Sequence, residues 1–396
     1  MQALSMSAFT LTSALGAGNP VHLQALRERR SGIVRKRWET LDHEMCLGEV
    51  PGLDDVRLRS DLQAFDCRNN RLAQLGLEQD GFAERAAESV SRHGAHRIGV
   101  FMGTSTSGIL SSEVAYRHRD PQTGRLPLSH RYRETHNAFS VGDFVRQYFG
   151  ISGPATVIST ACSSSAKVFA AARRMMSIGL IDAAIVGGVD SLCLTTLYGF
   201  GSLQLISSEP CAPFDARRSG ISAGEAAGFA LLEKPARPGS GILLTGTGET
   251  SDAYHMSSPH PEGAGARRAM IAALAAAGLQ PQQIDYVNLH GTATPSNDAV
   301  EHAAVTAVFG QEVPCSSTKG HTGHTLGAAG GVEAVMCALA LQHGLLPAGV
   351  GTRQLDPDLP CAYLLESVDR PLRHVLSNSF GFGGSNCSLV FSREGA

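Results

Sequence analysis

The chain has 396 residues, 43% of them hydrophobic and 17% charged, enough for a large core in two or three ordinary domains or one larger α/β unit. A formal net charge of −3 gives no global attraction to nucleic acid or anionic lipid. Nine cysteines without C-x-x-C spacing point to neither a zinc site nor a disulfide framework, and a reducing cytoplasm suits them.

Residues 1–18 are mildly apolar and lack a basic n-region, which predicts a first strand and turn rather than a signal peptide. Residues 97–104 read as a buried strand ending in a Gly turn. Residues 156–159 predict a short strand, followed by a turn at Cys162 and an Ala-rich helix to about residue 178. Residues 181–191 predict another apolar strand, whose centre at 183–189 is far too short to span a bilayer.

The same order then returns. Residues 284–290 predict a strand ending in Gly-Thr, and 314–319 lead toward a Gly- and Ala-rich helix over 326–343. Residues 374–384 and 388–392 predict a closing strand pair. Strand–turn–helix–strand occurring twice predicts two α/β halves, 1–240 and 241–396, related by a pseudo-two-fold axis. A loop at 235–241 divides them. The first half carries an insertion at about 105–152 containing Arg117, His118, Arg119, Arg125, Arg131 and Arg133. Such a segment suits covering a site, forming a subunit interface or meeting an acidic partner. Cys162, His290 and His324 all fall just after strands or at helix starts, where sites of α/β sheets gather, so one shared central site is expected.

Five blocks carry a resemblance over essentially the whole chain. They are Thr160-Ala-Cys162-Ser-Ser-Ser165, Pro213-Phe-Asp-Ala-Arg-Arg-Ser-Gly220 with Gly224-Glu-Ala-Ala-Gly228, and His290-Gly-Thr-Ala-Thr-Pro-Ser-Asn-Asp298. Ser317-Thr-Lys319-Gly-His-Thr-Gly-His324-Thr-Leu-Gly-Ala-Ala-Gly330 and Asn378-Ser-Phe380-Gly-Phe382-Gly-Gly384 complete the set. In this order they resemble the elongating-type β-ketoacyl-acyl-carrier-protein synthases of the thiolase-like superfamily. The resemblance implies a thiolase-like fold, with the two halves forming a layered αβαβα core. It also implies decarboxylative condensation of an acyl thioester with malonyl-acyl carrier protein, in fatty-acid, polyketide or aryl polyene elongation.

Cys162 is then the nucleophile, and a helix N-terminus would favour its thiolate. His290 and His324, as neutral rings presenting Nε–H, would stabilise the enolate left by decarboxylation. By resemblance, Lys319 pairs with Glu333 in the active-site network, and the N–H groups of Cys162 and Phe382 form an oxyanion hole. Phe382 with Phe380 forms a gate, and Thr292 and Thr294 bond the phosphopantetheine arm. No metal and no separate cofactor are implied, since the phosphopantetheine belongs to the acyl carrier protein. The acyl chain has residues 103–109, Phe200 and the apolar face of the Cys162 helix as candidate linings.

Family precedent is a dimer, either a homodimer or a heterodimer with a ketosynthase-like chain-length factor. Gln204 stands where many fatty-acid enzymes have an arginine for the carrier, so Arg57, Arg59, Arg68 or Arg71 would take that contact, and a dedicated secondary-pathway carrier becomes an option. Lys167, His321, His43, His93 and His374 receive no catalytic role. A non-catalytic chain-length-factor-like subunit is the alternative, against which the retained Cys162, His290 and His324 argue. Thiolases need a second catalytic cysteine, and starter-type synthases usually have asparagine at the place of His324.

Overall fold

The structure, a computed structural model, describes residues 2–235 and 241–395. The predicted inter-half loop, apart from its two end residues, lies outside them. The first half supplies strands β1 (Leu4–Ser13), β2 (Ile98–Gly103), β3 (Ala155–Ile158), β4 (Ala183–Asp190) and β5 (Ala226–Glu233). The second supplies β6 (Ile242–Ser251), β7 (Tyr286–Asn288), β8 (Cys315–Ser316), β9 (His374–Gly381) and β10 (Ser385–Arg393). Across the sheet the order is β3-β2-β4-β5-β1, then β6-β10-β9-β7-β8. Read from its outer edge inward, each run has the same connectivity. In each, the three outer strands are parallel and the next two antiparallel. The runs join where β1 meets β6, with Leu4 opposite Leu244 and Ser5 opposite Leu243.

Strands β2 and β4 are buried along their whole length. They read as continuous apolar runs because helices or sheet cover both faces. The helices needed below are α1 (Arg68–Leu77), α2 (Ile109–Arg117), α3 (Ser140–Tyr148), α4 (Ser164–Ser177), α5 (Leu194–Ser202), α6 (Ala264–Ala277), α7 (Pro295–Phe309) and α8 (Ala329–His343). Helices α4 and α8 lie between the two runs, so that Phe101, Val168, Phe169, Ala338, Leu389 and Phe391 share one core. Outside, α1 and α3 cover the first run and α6 and α7 the second. This is the five-layered thiolase-like arrangement.

Residues Leu326–His343 have the length and apolarity of a membrane span, but 89% of that window is buried inside the protein. A helix sandwiched between two sheets has to be apolar all round. Small residues let these layers approach. A Cβ on Gly330 would stand 2.4 Å from the Ala166 amide nitrogen, and one on Gly103 would stand 2.3 Å from that of Ser165. These two glycines therefore mark tight contact around the start of α4. Gly330→Ala is expected to cost about 1–3 kcal/mol by overpacking. A urea-unfolding midpoint equal to wild type would contradict this close contact.

Candidate active site

Strand β3 ends at Ile158, and the chain turns sharply before α4. Ala161 takes φ 52, a left-handed conformation that non-Gly residues seldom adopt outside functional turns. Ser164 braces the turn, accepting from the Thr160 N–H at 2.9 Å and donating to the Ala161 carbonyl at 2.5 Å. Cys162 is thereby set at the inner end of a cleft with 7% of its surface exposed. Burial pushes its thiol up to about 11, against a weaker downward pull from Lys319 and the Phe382 amide. This corrects the expectation of a thiolate favoured by the helix end. The helix begins two residues later, and lost hydration outweighs what the nearby positive groups return.

His290 follows β7, and His324 follows the short helix Lys319–Thr322. Their rings meet nearly edge to face, centroids 5.4 Å apart. Their nitrogens and the Cys162 sulfur lie within 4.8 Å of one another. Burial first, and then the charge of Lys319, holds both rings well below the usual histidine range, so both are neutral.

Hydrogen bonding decides which nitrogen carries each proton. The Lys319 ammonium has only donors, and it lies 3.3 Å from His290 Nδ1. Its other bonds go to the His290 carbonyl at 2.5 Å and to Glu333 Oε1. His324 Nδ1 accepts from the Leu326 N–H at 3.2 Å. Both Nδ1 atoms are therefore acceptors, and both Nε2 atoms must bear the proton. Two Nε2–H donors thus belong to the rings beside the thiol. The same set offers a cation little, because a metal would need the Nε2 lone pairs that these tautomers withhold. Glu333, whose carboxyl burial raises against the pull of Lys319, also accepts from Ser379 Oγ at 3.3 Å.

Three buried carboxylates that the sequence reading did not single out hold the loops in place. Glu301 on α7 accepts from the His290 and Gly291 N–H groups, each at 2.7 Å. Burial pushes its pKa up to about 7 against those two bonds. Asp298 accepts from the Phe214 N–H at 2.9 Å and the Ala293 N–H at 3.2 Å. Asp190, at the end of β4, accepts from the Ser105, Thr106 and Gly327 N–H groups at 2.5–3.0 Å, tying the first half to the approach to α8. For Asp190, an acid ending an otherwise apolar strand was the available signal.

The cleft is narrow and opens to solvent. Phe200, Leu205, Ile221, Phe380 and Phe382 supply its apolar wall. Phe382 is 36% exposed and meets the edge of Phe200 at 5.9 Å, while Gly383 and Gly384 take φ 80 and 72 in the loop behind it. Thr292 and Thr294 also line the cleft, their hydroxyls 2.9 Å apart. Residues 103–109 do not line the cleft, and the apolar side of α4 is spent in the core. Of the candidate linings, Phe200 alone stands there.

The expectation for Arg68 also needs correction. Arg68 is buried in ion pairs with Glu49, Asp54 and Glu225, and Arg71 is paired with Asp66. Arg59 pairs with Asp61 and lies over the Tyr148 ring, and Arg57 bonds the Asp54 and Val56 carbonyls. None of the four lines the cleft. Gln204 is exposed, next to the cleft residue Leu205. Lys167 meets Glu249, and His321 is buried between the Arg30 and Ala348 carbonyls, so neither enters the site.

Comparison with known proteins matches residues 12–237 to the β-ketoacyl synthase N-terminal domain and residues 242–353 to the C-terminal domain. The chain belongs to the β-ketoacyl synthase family. It is 40% identical over 268 residues to the mitochondrial 3-oxoacyl-[acyl-carrier-protein] synthase of Arabidopsis thaliana, spanning 63% of this chain and 58% of that relative. It is 33% identical to Nodulation protein E of Rhizobium meliloti, over 96% of this chain and 92% of the other. Among solved structures, a chain of the complex of the ketosynthase ApeO with its chain length factor ApeC from Xenorhabdus doucetiae superposes with TM-score 0.90 and 40% identity. That match covers 99% of this β-ketoacyl synthase and 98% of the other chain. Ring ¹⁵N NMR should find His290 and His324 as Nε2–H tautomers that stay neutral as pH falls through 6.5, the ordinary histidine value. Lys319→Met should release the His290 tautomer and leave that of His324; an Nδ1–H signal for either ring in wild type would contradict the assignment.

Proposed function

We propose that the chain is a condensing acyltransferase that joins an acyl thioester to a malonyl thioester, both delivered on the phosphopantetheine of an acyl carrier protein. The single observation carrying this reading is the convergence of the Cys162 sulfur on two rings fixed as neutral Nε2–H donors. Cys162 attacks the incoming acyl thioester, its proton leaving with the carrier thiolate, and the acyl-enzyme forms. The Cys162 and Phe382 N–H groups donate to the developing oxyanion.

A malonyl thioester then occupies the cleft, its arm beside Thr292 and Thr294. Loss of CO2 leaves an enolate whose oxygen accepts from His290 and His324 Nε2–H. Its carbon attacks the acyl-enzyme carbonyl, forming the new C–C bond and expelling the Cys162 thiolate, which regains a proton from solvent. Lys319 and Glu333 act through His290 rather than on substrate. Phe382, half exposed at the mouth, gates the two substrates with Phe380. A reducing cytoplasm suits a mechanism that needs Cys162 as a free thiol.

The partner reading follows the relatives. The mitochondrial relative's name specifies an acyl carrier protein, and the matched Xenorhabdus doucetiae chain comes from a complex of a ketosynthase with its chain length factor. That match also favours one second reading, a non-catalytic chain-length-factor-like subunit, for which Cys162 would have no acyl role. Intact mass spectrometry after incubation with acyl-carrier protein separates the two. An acyl adduct is expected on Cys162 and absent from Cys162→Ala, which retains malonyl decarboxylation. No adduct, or one on another cysteine, would overturn the assignment. His290→Ala and His324→Ala should each slow condensation by about 10²–10³-fold, the usual cost of a lost oxyanion donor, with acylation still detectable. Condensation near the wild-type rate would remove that ring from the mechanism.

A further inference from the structure

Strand β8 lies directly behind the loops that carry His290 and Lys319. Cys315 stands opposite Val287 and Ser316 opposite Asn288, on the strand that leads to His290. Just beyond it, Ser317 Oγ donates to the Gly291 carbonyl at 2.8 Å and accepts from the Lys319 N–H at 3.3 Å. Residues 362–364 hold the other edge of β8. The Cys315 N–H donates to the Ala362 carbonyl at 3.1 Å, and the Leu364 N–H donates to the Cys315 carbonyl at 2.9 Å.

Cys361 immediately precedes this segment. All nine cysteines lie among the described residues; eight are buried, and Cys361 alone is partly exposed. The Cys315 S–H donates to the Cys361 sulfur, which also accepts from the Tyr363 N–H. Two thiols are therefore neighbours across one proton, with solvent at one end, and condensation uses neither. The bond from Cys315 holds the Cys361 thiol below the ordinary cysteine range, while giving that bond, together with burial, holds Cys315 well above it. Cys361 thus ionises first, where a small reagent can reach it.

We propose that Cys315 and Cys361 form a reversible dithiol–disulfide pair, which a low-molecular-weight disulfide oxidises and which then clamps β8 to the segment after Cys361. The Cys361 thiolate attacks one sulfur of the small disulfide RSSR, forming a mixed disulfide and releasing RS−, which takes the proton that Cys361 gave up. The Cys315 sulfur then attacks the Cys361 sulfur, loses its own proton and expels the second RSH. The protein gives up two hydrogens and two electrons, and RSSR becomes two RSH. Excess RSH reverses both steps. The crosslink restricts the openings in which β8 parts from residues 362–364. Because β8 runs through Ser317 into Lys319, the clamp acts on the support of the active-site ammonium. The pair stands apart from the catalytic reading, since neither sulfur lines the cleft.

The full chain treated with glutathione disulfide, alkylated and mapped by peptide mass spectrometry tests the pair. A crosslinked Cys315–Cys361 peptide is expected, and dithiothreitol should remove it. Cys315→Ala should stop at a glutathione adduct on Cys361, and Cys361→Ser should leave Cys315 unmodified. Thermal melts of the reduced variants check that both fold. Hydrogen exchange at the Cys315 and Leu364 amides should slow by about tenfold in the oxidised wild type, and not in Cys361→Ser treated alike. Absence of the crosslinked peptide from wild type overturns the proposal. A glutathione adduct on Cys315 in Cys361→Ser, or exchange unchanged by the crosslink, does the same.

Discussion

The Lys319 ammonium has three N–H bonds and three acceptors, and the site depends on how they are shared. One bond fixes the His290 ring, one holds the His290 carbonyl, and one enters the Glu333 carboxylate on α8. A strand end of the second half and a helix from the central layer are thus pinned to one charge. Because an ammonium cannot accept, the His290 proton is forced to the nitrogen away from Lys319. The Leu326 backbone N–H does the same for His324 with no charge at all. Chemistry on substrate therefore starts from hydrogen bonds made on the far side of each ring.

Burial acts on every member of the group and in opposite directions. It lifts the Cys162 thiol and lowers both imidazoles, so that nucleophile and donors rest uncharged. An uncharged resting site binds a malonyl anion without first breaking an internal ion pair among the reacting groups. Negative charge arises only as CO2 leaves, and then meets donors already in place, where a low-dielectric setting gives them most effect. The nearby Lys319–Glu333 pair carries the permanent charges and keeps them off the reacting atoms.

Much of the site could be read from sequence because Cys162, His290, His324 and Lys319 sit at strand ends or helix starts within recognisable blocks. Repetition of strand–turn–helix–strand likewise pointed to two related α/β halves, since buried strands and a fully apolar helix leave local patterns, while the layering came with the family resemblance. Glu301, Asp298 and Asp190 escaped notice because their carboxylates bind backbone N–H groups, which carry no residue identity. Asp190 also reaches Gly327, 137 positions away, beyond any spacing rule. Arg68 was misread for the same reason, since its buried partner Glu225 lies 157 positions away. The thiol was misjudged because the degree of burial at a turn depends on loops from both halves, and no single segment encodes it.

The most direct measurement is the rate of malonyl-thioester decarboxylation by the Cys162→Ala enzyme as pH is varied. Both rings are held well below the usual histidine range, so neither gains a proton as pH falls through 6.5. The account predicts a rate that is level across that interval. A rise or fall centred near 6.5 that disappears in His290→Ala or His324→Ala would show a titrating ring and contradict two neutral Nε2–H donors.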